Sequence, residues 1–226
     1  MKGFIYPCIL LCSAFLFSQE GNYGFVESYR PFGDYLVDKD EKTIEGSPYL
    51  YETWDNASKV YFNEKAYTFN TFNFNAYAGQ FEAKLSADSV FIVNPSGVDK
   101  VVLGNKVFKR YVDPEIQRNT YFEEILKAKD LLLLRKYYTS IKKAEVNPLT
   151  KTPMGLPMLK LEEDFYILKG ESTQLEKINF KKSSVLDLID KKVVKKVQSY
   201  VKENGLKYNN LEDVTSILTY YNTLGS

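Results

Sequence analysis

Residues 121–138 read YFEEILKAKDLLLLRKYY, and the fold turns on how they are read. By intrinsic propensity FEEILKA and LLLLRKYY could propagate as one helix, since Glu, Leu, Lys and Ala are all good helix formers. Two features favour a pair of strands. Lys127 to Asp130 is a polar break suited to a turn, and neighbouring strands supply the context that overrides helix preference. Leu131 to Leu134 has no polar alternation, so as a strand it belongs where both faces are covered.

Upstream, Tyr49 to Tyr111 consists of short apolar and aromatic runs separated by turn residues, as antiparallel sheets read. KVYFN (59–63) and AYTF (66–69) flank a hairpin turn at Glu64-Lys65. Phe69, Phe72 and Phe74 alternate with Asn70, Asn73 and Asn75, with one register slip expected at Thr71 as in a β-bulge. Ala78-Gly79 turns the chain into QFEAKL, and Ala87-Asp88 turns it into SVFIV. Pro95-Ser96-Gly97 precedes Val98 to Leu103, and Gly104-Asn105 joins that run to Lys106–Tyr111, a two-residue turn needing φ > 0.

Downstream, NPLTKTPMGLP (147–157) holds three prolines and a glycine and reads as an extended surface loop. Three short strands are expected next, at Pro157–Leu161, Phe165–Lys169 and Gln174–Ile178, with Gly170-Glu171 as a turn. The period then changes. Ser184 is an N-cap candidate with Asp187 three residues on, and Val185, Leu188, Ile189, Val193, Val197, Tyr200 and Val201 share one helical face up to Asn204-Gly205. A second helix starts near Asn210, with Leu211, Val214, Ile217, Leu218 and Tyr221 as its apolar stripe. The expected class is α+β: an antiparallel β-rich body (meander, sandwich-like or partial barrel) with two C-terminal amphipathic helices packed on it.

The N-terminus, MKGFIYPCILLCSAFLFS, has one charge at Lys2, an apolar run from Phe4 to Phe17, and then polar Gln19 to Asn22. This is the pattern of a secretory signal peptide over residues 1–18, too short for a membrane span and interrupted by Pro7. Cleavage is expected after Ser18, leaving one domain over 19–226, β-rich over 19–180 and helical over 181–226. Lipoprotein processing at Cys12 is disfavoured by the lack of a hydrophobic segment before it. The expected location is outside the cytoplasm: the periplasm, the outer membrane, or beyond the cell.

Both cysteines, Cys8 and Cys12, fall inside that leader and the chain has no histidine. A processed chain therefore lacks the parts for a disulfide framework, a Ser-His-Asp or Cys-His pair, a zinc site of the usual N/S kind and the common haem ligand sets. No metal or cofactor is expected. Residues 19–105 carry 13 acidic and 7 basic side chains, net −6, and residues 106–226 carry 16 and 22, net +6. Such polarity fits two halves that neutralise each other, or a basic end that meets an acidic partner. Nucleic acid is not an expected partner, given export and near-zero net charge.

Adjacent carboxylates occur at Glu123-Glu124 and Glu162-Glu163-Asp164, the residue type glycoside hydrolysis uses. Neighbours in a strand point to opposite faces, so these read as solvated or edge charges. Asp34 to Glu41 is the best all-oxygen cation loop but lacks the glycine and alternation of an EF-hand. The 18 Tyr and 15 Phe suit core packing and cross-strand pairs, or a ligand-lined surface. Trp54 is expected to anchor the core. Lys191, Lys192, Lys195 and Lys196 cluster on one side of the first C-terminal helix, either as a solvated face or as a docking face for anionic headgroups or an acidic protein.

GSPYLYETW, KVYFN, the aromatic-Asn run, AGQFEAKL, VDKVVLGNKVF and the closing stretch from KKSSVLDLIDKK to LTYYNTL together resemble an uncharacterised family of exported proteins of Bacteroidetes-type bacteria, over most of the processed chain. The resemblance implies a compartment and transfers no activity. Asp88-Ser89-Val90 is similar to the three-residue O-glycosylation signal of such bacteria. The leading expectation is a non-catalytic envelope protein binding a protein partner or envelope component through its sheet or C-terminal helices. The alternatives are a carrier of an apolar small molecule in a curved sheet and a carboxylate-dependent hydrolase.

Overall fold

A computed structural model describes residues 44–86, 89–128 and 130–224, and the backbone of residues 26–31. The expected leader, the Asp34–Glu41 loop and Asp88 of the glycosylation motif lie outside these residues. The strands are β1 (Val26–Pro31), β2 (Ser58–Phe62), β3 (Lys65–Phe69), β4 (Phe72–Asn75), β5 (Gln80–Lys84), β6 (Ser89–Val93), β7 (Val98–Leu103), β8 (Lys106–Asp113), β9 (Arg118–Ala128), β10 (Leu131–Lys142), β11 (Glu145–Val146), β12 (Pro153–Met154), β13 (Met158–Lys169) and β14 (Glu176–Ile178). Three helices follow: α1 (Lys182–Leu186), α2 (Val194–Glu203) and α3 (Leu211–Leu224).

The α+β expectation holds: an open antiparallel body carries the C-terminal helices. Eight strands pair in the order β14-β13-β10-β9-β8-β7-β2-β3, and four more in the order β1-β6-β5-β4. From β7 to β10 the large sheet is a meander, and three of the small sheet's four strands, β4 to β6, are an excursion between β3 and β7. Residues 121–138 form the ends of β9 and β10, with Leu131 opposite Ala128 across a tight connection.

Alternation along β10 organises the layers. Leu131 and Leu133 point to the helices, where they join Ile167, Ile178, Val185, Val197, Val214, Ile217 and Leu218 in one apolar cluster. Tyr137, on the same face, packs instead with Phe74, Phe81, Phe108 and Tyr121 beneath the small sheet. Leu134 points the other way, to Phe122, Tyr166 and Leu175. Helices and small sheet thus lie side by side on one face of the large sheet, and Leu131–Leu134 is covered on both faces as its composition required.

Five local expectations are corrected. The β2–β3 turn is Asn63-Glu64, one residue before the expected Glu64-Lys65, because Phe62 and Lys65 pair. Phe69 and Phe72 are not one strand with a bulge at Thr71: Phe69 ends β3 in the large sheet, the chain crosses at Asn70-Thr71, and Phe72 opens β4 in the small one. Two strands expected over 157–169 are the single strand β13. Its acidic middle, read as a break, pairs Glu162, Glu163 and Asp164 opposite Tyr138, Tyr137 and Lys136. The acids are tolerated because Arg135 reaches Glu163 at 3.0 Å and Lys177 reaches Asp164 at 2.6 Å.

The first C-terminal helix is broken in two. Ser184 lies inside α1, whose N-cap is Lys181 without a side-chain cap, and Asp187 is its C-cap. The Asp190 carboxylate accepts the Lys192 N–H at 2.8 Å and its own N–H donates to the Tyr221 hydroxyl at 3.3 Å, so a turn separates α1 from α2 while Val185 and Ile189 both stay buried. Trp54 is half-buried at a rim, edge-on to Tyr49 with ring centroids 4.7 Å apart and Lys84 over its ring, rather than central in the core.

Candidate docking surfaces

Carboxylates that looked available for chemistry are engaged as acceptors. Glu123 and Glu124 fall on opposite faces of β9, as strand geometry demands. Glu123 Oε2 accepts from Arg135 Nη2 at 2.7 Å, Arg135 Nε at 2.9 Å and the Tyr137 hydroxyl at 2.8 Å, and Lys106 Nζ sits 3.2 Å from Oε1. Burial and then the Glu123 charge push the Tyr137 phenol up. Glu124 accepts from the Tyr111 hydroxyl and pairs with Lys109 at 2.9 Å. In the small sheet the buried Glu82 takes hydrogen bonds from Tyr49, Asn75 and Gln80, each 2.8 Å. These charges are held by several donors each, a structural use of buried polar groups.

Further from the interior, Glu162 is lowered by its bond from Lys160, then by Ser140, and Lys177 is raised by bonds to Asp164 and Glu115. Among the described residues, no three His, Cys, Asp or Glu side chains gather as a metal ion would require. A cleft of about 370 Å³ between the β9–β10 connection and α3 is lined by Asp130, Lys169, Asp187, Leu188 and Tyr221. Its two aspartates come from segments the sequence reading never brought together.

Aromatic side chains fill the inter-sheet space with one another. Phe81 lies 4.9 Å from Phe74, 5.3 Å from Phe108 and 4.8 Å from Tyr121, centroid to centroid. Those are ring-contact separations.

The lysines singled out from sequence are all exposed. Lys195 and Lys196 occupy the first turn of α2, whereas Lys191 and Lys192 belong to the preceding turn. Cations at a helix N-terminus oppose the macrodipole, so this basic cluster is maintained against local electrostatic preference.

A second surface escaped the sequence reading. β10 and β13 pair along twelve residues each, from Leu131–Lys169 to Lys142–Met158, while β9 stays with β10 only as far as Arg135. The far end of this ribbon leads into the β11–β12 hairpin, where Glu145 pairs with Met154 and Val146 with Pro153. Within it Asn147 organises the tip: its Oδ1 accepts the N–H groups of Leu149 at 2.9 Å and Thr150 at 3.3 Å, and its carbonyl accepts that of Lys151 at 2.8 Å. Leu149 is held 91% exposed at the apex, and Ile141, Val146, Met154, Leu156, Met158 and Leu161 are exposed around and behind it. Prolines and a glycine announced a loop there; what they hid was that the loop is an ordered hairpin displaying aliphatic side chains.

No family model matches the chain, and comparison with curated proteins and with solved structures gives no match. The resemblance to exported proteins therefore rests on its own sequence segments. Among the described residues, no helix is long and apolar enough to cross a membrane.

Proposed function

We propose that the protein is a non-catalytic exported binding module that docks onto an envelope component or protein partner through the apex of its β10–β13 ribbon. The observation that carries this reading is the concentration of large exposed aliphatic side chains between Ile141 and Leu161, on backbone ordered by its own hydrogen bonds. Several large aliphatic side chains exposed along one short ribbon mark it as an interaction site. Ordering the tip in advance lowers the entropy cost of docking.

Support over a carrier comes from the aromatic side chains, which occupy the inter-sheet space by contacting one another. Support over a hydrolase comes from Glu82 and Glu123, whose oxygens are committed to several donors. Export is proposed on the leader pattern of residues 1–18.

A photo-crosslinker placed at Leu149 in the full chain, expressed in the native host, tests the docking site. A discrete adduct is expected there and none from a crosslinker at exposed Leu85 on the body. Absence of any adduct at Leu149 would overturn the docking reading. N-terminal mapping of the same material should find Gln19 or a close neighbour first; Met1 retained on a cytoplasmic form would overturn export.

A further inference from the structure

We infer that the occupant of the ribbon apex is an anionic lipid surface, an inference that rests on the docking reading above and names its partner class. Charge is the first argument. Residues 141–161 contain four lysines, at 142, 143, 151 and 160, and one glutamate, at 145, for a net of +3, and the exposed Glu45, which bridges to Met158, brings this surface to +2. Lys160 is paired with Glu162 at 2.9 Å. Lys142, Lys143 and Lys151 are exposed, and among the described residues they have no ion-pair partner. The apex therefore combines protruding aliphatic groups with unneutralised cations, the combination that binds the boundary between acyl chains and anionic headgroups.

Composition is the second argument. Residues 141–161 contain four lysines and no arginine. Protein interfaces favour arginine and are depleted in lysine. This apex has the reverse content: Leu, Met, Val and Ile for the hydrocarbon side, lysine for the phosphates. Geometry is the third. Leu149 projects from a closed turn in which the Asn147 N–H donates to the Thr152 carbonyl at 2.9 Å and the Lys151 N–H donates to the Asn147 carbonyl at 2.8 Å. A backbone with its polar groups internally satisfied approaches the headgroup region at little desolvation cost.

The experiment is flotation of the processed full-length chain with vesicles of phosphatidylcholine and phosphatidylglycerol in equal parts, against phosphatidylcholine alone. Binding to the anionic vesicles only is expected. Each of Lys142→Glu, Lys143→Glu and Lys151→Glu should weaken it at least about fivefold, and the triple variant at least about a hundredfold. Leu149→Asp should abolish it with an unchanged melting transition, and molar salt should release the wild type. A Leu149→Trp reporter in a Trp54→Phe background should shift its fluorescence to the blue on binding.

Equal binding to both vesicle types, or anionic binding indifferent to the Leu149 and lysine variants, would overturn the inference. An adduct to a protein at Leu149 without vesicle binding would leave the docking reading standing and remove the lipid. A dimer lost on Leu149→Asp, again without vesicle binding, would make the occupant a second copy. With no adduct at Leu149, to protein or to lipid, both readings fall.

Discussion

Arg135 and Glu123 face each other across the β9–β10 ladder at the junction of the two covers on the large sheet, with guanidinium Nη2 and Nε at 2.7 and 2.9 Å from the same carboxylate oxygen. To one side along β10 lies Leu133 under the helices, to the other Tyr137 under the small sheet. Arg135 Nη1 continues to the more exposed Glu163 at 3.0 Å. Burial would lower the Arg135 pKa, but the Glu123 charge and hydrogen bond, with Tyr137 and Glu163 beside them, together outweigh this and raise it. A chain of paired charges thus runs from the buried Glu123 through Arg135 to the exposed Glu163.

Removing one partner leaves the other charged and largely buried. Arg135→Met or Glu123→Gln should each cost about 3 kcal/mol in urea unfolding. The double variant Glu123→Leu with Arg135→Met should lose clearly less than the two single losses added, with a coupling of about 1–3 kcal/mol. Simple additivity would show that the pair does not act as a unit.

Alkaline pH should act through the buried phenols. Burial, assisted by Glu123 at Tyr137, by Glu124 at Tyr111 and by Glu115 at Tyr166, raises all three. A pKa higher in the fold than the unfolded value of about 10 means the proton is held more tightly in the native state. The associated stability is fully present below about pH 10 and is lost as pH rises through the folded values. The melting temperature should therefore fall above about pH 10, and near-ultraviolet absorbance should show these tyrosines ionising only as the chain unfolds. Tyr137→Phe should flatten the alkaline fall; an identical profile would assign it to other groups.

What was legible in the sequence follows from how local each cause is. Leu131–Leu134 showed its burial because four apolar residues without alternation leave a strand no solvent face. Val214, Ile217 and Leu218 showed theirs by helical spacing. The continuity of β13 was hidden because Glu162, Glu163 and Asp164 are made tolerable by Arg135 and Lys177, residues of other strands. The break between α1 and α2 was hidden because it depends on Asp190 meeting Tyr221 of α3. The ribbon apex was hidden for a related reason: prolines and glycine announce a loop but not whether its leucine and methionines turn inward.

The helices should be integral to the fold, because Val214, Ile217 and Leu218 share a cluster with Leu133 and Ile167 of the large sheet. Ile217→Ala should cost about 2–5 kcal/mol, and deletion of Ser183–Ser226 should abolish the native melting transition. An unaltered transition after deletion would make the helices an independent appendage.

Cap and dipole can be tested separately from burial. The Asn210 Oδ1 accepts the Asp213 N–H at 2.9 Å and its Nδ2 donates to the Asp213 carboxylate at 2.8 Å, a reciprocal cap at the start of α3. Asn210→Ala should cost about 1 kcal/mol. Lys195→Glu and Lys196→Glu place anions where α2 favours them and should raise stability by a few tenths of a kcal/mol. A loss of stability on charge reversal would show that those lysines have structural partners.

The β2–β3 turn offers the cleanest test of backbone conformation. Asn63 and Glu64 have φ of 46° and 65°, so both central residues of this two-residue hairpin are left-handed, as in a type I′ turn. The sequence reading had set the turn one residue later, at Glu64-Lys65; Asn63 is the residue that tolerates the first position. Glu64 is exposed and, among the described residues, makes no ion pair, so substitution there reports on the backbone. Glu64→Gly removes the Cβ cost of the left-handed region but adds freedom to the unfolded chain, for a net gain of about 0.5–1 kcal/mol. Glu64→Val adds a branch at that Cβ and should lose about as much. Both shifts are read from the urea midpoint at unchanged m-value. If the two variants are equally stable, the turn does not hold Glu64 at positive φ and the one-residue placement of the hairpin is wrong.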